Sequence, residues 1–143
     1  HMLARLQKFL PESAVQPGDQ VWFVLDVDRW KRESIEELRA LCTDYEGWAT
    51  AISNPCFEVW LLFHFNEAIP DNPTTSKMFK QLLHELTPGG YSVERFAPAI
   101  ATASANAKAA DPTPAHDYPD TVATTKVYRL AEELQRFLGQ NWK

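Results

Sequence analysis

One stretch constrains this chain more than any other. Gln20 to Trp30, QVWFVLDVDRW, is an apolar run that ends in two aspartates one residue apart. Val21 to Leu25 are β-branched, aromatic or aliphatic with no polar alternation, the pattern of a strand buried on both faces of a parallel sheet. Side chains alternate along a strand, so Asp26 and Asp28 are expected on one side, roughly 6–7 Å apart along the chain. The strand runs out there, and open α/β sheets bind ligands outside the carboxyl ends of their strands. Two carboxylates on one face raise each other's pKa unless a cation lies between them. Hard oxygen donors of this kind suit Mg²⁺ or Mn²⁺. The plainer reading of the same spacing makes one aspartate a helix cap and leaves the other solvated.

Composition narrows the setting. At 143 residues, 45% hydrophobic and 12% aromatic, the chain is globular and large enough for one domain with its own core. No apolar run approaches the roughly 20 residues needed to span a bilayer; the longest, Val59–Phe65, is interrupted by His64. No signal peptide is expected, and His1-Met2 reads as a tag remnant. Cys42 and Cys56 form no CxxC pair and no zinc pattern, so a reduced, cytoplasmic setting is the expectation. A net charge of −5 argues against broad, non-specific duplex binding. It does not argue against a nuclease, because a carboxylate cluster is acidic before its ion arrives.

The order of elements reads as α/β. Leu3, Leu6, Phe9 and Leu10 fall at helical spacing before Pro11. After the turn at Pro17-Gly18-Asp19 comes the Gln20–Leu25 strand. Ser34 and Glu37 make a capping box for a helix with Ile35, Leu38, Leu41, Cys42 and Tyr45 on one stripe, stopped by Gly47. Trp48–Ile52 reads as a second strand, parallel to the first. Ser53-Asn54-Pro55 then reads as the capped start of a helix running through Phe65. A loop over Asn66–Thr74 precedes a helix carrying Met78, Phe79, Leu82, Leu83 and Leu86. An alanine-rich helix spans about Ser92–Ala110, with Pro98 near its start or kinking it. The Asp111–Asp120 loop holds three prolines, and a final helix aligns Val127, Leu130, Ala131, Leu134, Phe137 and Leu138. Two strands do not make a stable independent sheet. Something is therefore expected to be missing from the chain or to be supplied by a partner.

A parallel second strand would end at Ser53 on the same sheet edge as Asp26 and Asp28. Glu58 would then lie about one turn into a helix whose N-terminus points at that edge, where the helix dipole favours a carboxylate. It could complete a three-carboxylate metal site. The alternative makes Glu58 an ordinary first-turn acid and Asn54 only a cap. His64, six residues on, points to another helix face and reads as a partly buried structural histidine.

Taken together, VWFVLDVDRW, a helix, and AISNPCFEVWLLFHF resemble the RloB-like family of phage-defence proteins, whose core is similar to a TOPRIM domain. The resemblance rests on Asp26 and Asp28 of the D-x-D strand and on the block from Ser53 to His64, with a weaker echo over Thr121–Leu134. It covers roughly residues 20–66 strongly and the tail loosely. It implies a TOPRIM-like parallel-sheet core over residues 3–66, with a helical extension over 67–143 packed on the same domain. It also implies a nuclease of an abortive-infection system that cuts RNA or DNA and depends on Mg²⁺ or Mn²⁺. Asp26 and Asp28 would hold the metal, Glu58 would join them catalytically, and Ser53, Asn54 and His64 would contact substrate. A further implied partner is an ATPase encoded alongside.

One departure stands out. TOPRIM-like proteins carry a glutamate after an earlier strand, in RloB-like proteins within an E-G-x-T-E type motif, and nothing before Asp26 matches it. The expectation is that the chain is a trimmed piece of a longer protein, with little nuclease activity alone, the longer form being active. The competing class is a non-catalytic module that partners an ATPase. A D-x-D phosphatase or nucleotide-sugar transferase is weaker, because Arg29-Trp30 stand where the phosphatase pattern wants small residues.

Overall fold

The apolar run before the aspartates forms strand β1, Val21–Asp26, and the WATAI segment forms β2, extended to Trp48–Asn54. The computed structural model describes residues 2–12, 15–65, 69, 76–119 and 122–139. β1 and β2 pair in parallel from Val21 opposite Trp48 to Asp26 opposite Ser53, so both strands end at one edge. Helix α2, Arg32–Thr43, makes the crossover between them and buries Ile35, Leu38 and Cys42. This is the α/β arrangement the sequence implied: a sheet flanked by helices, with a helix at its C-terminal end.

The expectation of a missing or partner-supplied element is corrected here, because the third strand comes from the chain's own tail. β3, Thr124–Thr125, pairs antiparallel with β2, Thr125 opposite Ser53 and Thr124 opposite Asn54, so β2 is central in the order β1-β2-β3. A buried ion pair anchors it. Lys126 and Asp111 have fully buried side chains, with Nζ 2.5 Å from Oδ2. The Tyr128 hydroxyl donates to the same oxygen at 2.6 Å, and Lys126 also donates to the Thr113 carbonyl at 2.6 Å. The Asp111 loop is thereby tied to the start of the last helix.

The central strand β2 is covered on both faces, whereas β1 is an edge strand in which only Leu25 is buried and Val24 is 45% exposed, so the reading of Val21–Leu25 as buried on both faces is corrected. Consecutive residues of β2 point to opposite layers: Ala51 joins a core with Val59, Trp60, Phe79, Ala103 and Val127, while Ile52 joins one with Leu25, Ile35 and Leu38. The first layer is built by α3 (Glu58–Leu62), α4 (Ser76–Leu86), α6 (Ile100–Ala110) and α7 (Val127–Leu138). The second is closed by α1, Met2–Glu12, against α2. A short helix α5, Val93–Phe96, is capped by Ser92, whose hydroxyl accepts from the Arg95 N–H. Pro98 lies in a 3₁₀ turn over Ala97–Ala99, so the alanine-rich helix is broken there.

Three local readings are corrected. α2 begins at Arg32 with Lys31 as its cap and no side-chain cap bond, so Ser34 lies inside the helix and the Ser34/Glu37 box does not form. Ser53 and Asn54 are strand residues that end β2, not helix caps. The helix after them, read as reaching Phe65, is only Glu58–Leu62. The loop read over Asn66–Thr74 lies almost wholly outside the described residues.

Gly47 is required by its surroundings. Its φ is +81°, and a Cβ there would lie 2.7 Å from the Asp19 carbonyl oxygen. Its own carbonyl accepts the Val21 N–H at 3.0 Å, where the two strands begin. Gly47→Ala should therefore destabilise the fold by roughly 1–3 kcal/mol. Urea unfolding checks this; an unchanged midpoint would show that the turn relaxes without strain.

Candidate functional site

The site grows from the end of β1. Asp26 is its last residue, half-buried, and its Oδ1 accepts the Phe57 N–H at 2.9 Å. Phe57 precedes α3 and has no side-chain cap of its own, so Asp26 caps the next helix from the neighbouring strand. The expectation that one aspartate caps the helix following its own strand is corrected: α2 has no side-chain cap, and Asp26 reaches the start of α3 instead.

Asp28 is reached differently from the way alternation implied. It lies beyond the strand, in a 3₁₀ turn over Val27–Arg29, and its N–H donates to the Pro55 carbonyl at 3.1 Å. That bond pins the turn after β1 to the chain leaving β2. The Asp28 carboxylate is exposed, and its Oδ2 accepts from the Ser76 hydroxyl at the start of α4. Glu58 is the first residue of α3, with Lys80 Nζ 3.9 Å from its Oε1. Between Ser76 and Glu58 sits the buried Cys56, whose thiol hydrogen-bonds with both. A chain of contacts thus runs from Asp28 through Ser76 and Cys56 to Glu58.

The electrostatics agree with this convergence. Burial raises the Asp26 pKa, the Asp28 carboxylate raises it further, and Glu58 adds to the rise. The Phe57 N–H and Arg29 work against these without cancelling them. Burial also pushes the Cys56 thiol up to about 12, helped by its bond to Glu58. Such a thiol is a structural donor rather than a nucleophile. All three carboxylates therefore belong to one edge of the sheet, as the parallel crossover implied.

The protein-family model described as RloB-like protein matches residues 1–134. This chain belongs to the RloB-like family. No curated protein and no solved structure gives a match. Among the described residues, no helix is long and apolar enough to cross a membrane.

In this RloB-like chain the other expected site residues are placed as follows. Ser53 is fully buried, its hydroxyl 2.7 Å from that of Thr125. Asn54 is also buried and donates to the Val122 carbonyl at 3.4 Å. Both brace β3 against β2. His64 is half-buried; its Nδ1–H donates to the Trp60 carbonyl at 3.1 Å, and its ring packs edge-on to Trp60 and Phe96. Burial lowers its pKa, consistent with the structural histidine read from the sequence.

Sequence reading missed the residues that hold the carboxylates in place. Ser76 and Lys80 come from α4, and no spacing relative to Asp28 or Glu58 announces them. Cys56 stood inside the quoted Ser53–His64 block, where a small buried thiol between two polar groups was the available signal.

Among the described residues, no group of three His, Cys, Asp or Glu side chains stands close enough to hold an ion together. Mg²⁺ does not require such a group. It commonly keeps several waters and takes one or two carboxylates. Two aspartates, each steadied through one oxygen, are a donor set of that kind.

Proposed function

We propose that this RloB-like chain is a divalent-metal-dependent phosphodiesterase that acts on RNA or DNA in anti-phage defence, built on a TOPRIM-like core. The observation that carries this reading is that Asp26, bonded to the Phe57 N–H, and Asp28, pinned to the Pro55 carbonyl, stand with Glu58 at the carboxyl edge of the sheet. Asp26 and Asp28 would hold Mg²⁺ or Mn²⁺ through the oxygens not given to Phe57 and Ser76. When bound, the ion supplies a Lewis acid that polarises the phosphate and stabilises the leaving oxygen.

The chain's own residues do the positioning. The Phe57 N–H and the Ser76 hydroxyl fix the orientation of the two aspartates. Lys80 offsets the charge of Glu58, and Arg29 that of Asp26. Glu58 serves as a supporting third carboxylate. Ser53 and Asn54 act through the backbone, by fixing where β2 ends.

A second reading is favoured by the lack of a ready three-ligand group among the described residues. It makes the chain a catalytically incomplete module that partners an ATPase. Metal titration separates the two. Calorimetric titration with Mn²⁺ or Mg²⁺ should give weak binding to the wild type, reduced in both Asp26→Asn and Asp28→Asn. Identical curves for all three proteins would overturn the metal assignment and leave the binding module.

A further inference from the structure

The carboxylate edge opens onto one cavity, and a second adjoins it through the shared Phe57. The first, about 670 Å³, is lined by Asp26 together with Arg5, Val24, Arg29, Trp30 and Phe57. The second, about 450 Å³, lies on the other side of Phe57 and includes Tyr91 and Phe96. Both volumes fall within the roughly 300–1,000 Å³ typical of small-molecule pockets. Each holds a flat aromatic group at the surface. In the first, the Arg5 guanidinium stands over the Trp30 ring at 5.7 Å. In the second, Tyr91 stacks on Phe96 with centroids 4.9 Å apart and planes 26° off parallel.

Tyr91 is the informative member. It is 64% exposed, with one face of its ring on Phe96 and the other open to solvent. A ring so exposed, across Phe57 from the cavity of Asp26, contributes little to the core. It suits a flat partner. Unpaired nucleobases stack on such rings whatever their sequence, while bases inside a duplex present no free face. The charge distribution points the same way. A chain of net charge −5 lacks the broad cationic surface that grips a duplex, but Arg5 and Arg29 place two guanidiniums beside Asp26.

We propose that the two cavities form a track on either side of Phe57, an unpaired base in the second and its phosphate in the first, so that the site takes single-stranded nucleic acid in preference to duplex. Tyr91 is the stacking platform, and Arg29, with Arg5 seated over Trp30, meets the phosphate in the first cavity. This rests on the phosphodiesterase reading for its substrate, but its residues are distinct from the carboxylates.

The test is fluorescence anisotropy with short fluorescein-labelled single strands of DNA and RNA and a duplex of matched length. Mg²⁺ is present, and phosphorothioate linkages slow cleavage. Single strands should bind at least about 10-fold more tightly than duplex. Tyr91→Ala should weaken single-strand binding on the order of 10-fold, as expected for one stacked base, and Tyr91→Phe should restore it. Exposure of Tyr91 makes loss of folding a poor explanation for the alanine variant, and circular dichroism checks that directly. Arg29→Ala should lower affinity and flatten its salt dependence. Duplex bound as tightly as single strand, or affinity unchanged in Tyr91→Ala, would overturn the track. Metal-dependent cleavage indifferent to Tyr91 overturns the track and leaves the phosphodiesterase standing. Tyr91-dependent binding with no cleavage in Mg²⁺ or Mn²⁺, even with an ATPase partner present, supports the track and overturns the phosphodiesterase.

Discussion

Lys126→Met should destabilise the protein by about 3–5 kcal/mol, the cost of leaving one member of a buried ion pair without its partner. Asp111 is fully buried against Lys126, and methionine keeps the side-chain length while removing the charge. Asp111→Leu combined with Lys126→Met should recover most of the loss, since an apolar pair of similar volume avoids desolvating either charge. Urea unfolding of the wild type, the single variant and the double variant decides this. A single variant as stable as the wild type would show that the pair contributes no net stability.

The pair also has a pH signature. Burial acts to raise the Asp111 carboxyl, but hydrogen bonds from Lys126, Tyr128 and the Thr113 N–H hold it below its ordinary value of 3.8. A depressed folded pKa contributes stability above the unfolded value, and that contribution is lost as pH falls through the folded one. Wild-type stability should therefore drop below about pH 4. In Lys126→Met the carboxylate keeps its burial and loses its main partner, so its folded pKa should rise. Mild acid should then stabilise the variant where it weakens the wild type. On the alkaline side Tyr128 is pushed up to about 12 by burial and its bond to Asp111. Its contribution is present below about pH 10 and fades above it. Burial lowers the Lys126 pKa, which works in the opposite sense, so the acid limb is the cleaner test.

This latch shows where sequence reading stops. β2 was legible because a central strand covered on both faces is mainly apolar, and β1 because VWFVL is β-branched, aromatic and aliphatic, although its Val24 side lies open at the sheet's edge. α7 was legible because its apolar stripe repeats at helical spacing. β3 was not. Thr124 and Thr125 are polar, the strand is two residues long, and Lys126 beside it looks like a solvated charge. What makes it a strand is a partner fifteen positions away, Asp111, which takes the lysine inside. The same limit applies at the site. Asp26 and Glu58 could be brought together on paper because a parallel crossover puts both strand ends at one edge. Asp28 reaches that edge through a 3₁₀ turn held by Pro55, which alternation along a strand did not foresee. The helix after Ser53 was read too long because Asn54-Pro55 looks like a cap, whereas the carbonyl and amide groups of that stretch are taken by Asp28 and Asp26.

Asp26→Asn should reduce any divalent-metal-dependent cleavage of RNA or DNA by at least roughly 100-fold, the scale for losing an electrostatic group aimed at the reacting phosphate. The same change should make the protein more stable to heat. Asparagine keeps an oxygen to accept the Phe57 N–H, so the start of α3 stays capped. It removes a half-buried charge that faces Asp28 and Glu58. Activity lost together with stability gained is the signature of a group kept for chemistry at the fold's expense. It cannot be confused with unfolding. Cleavage by this chain is expected to be slow, because no three-ligand group is in place among the described residues. A gel assay with Mg²⁺ and Mn²⁺, run beside a thermal melt, gives both readouts. Fast cleavage lost in Asp26→Asn would show that the chain needs no further glutamate. Cleavage retained in Asp26→Asn would remove the aspartate from the site. No cleavage even with metal and an ATPase partner present would transfer the protein to the binding-module class.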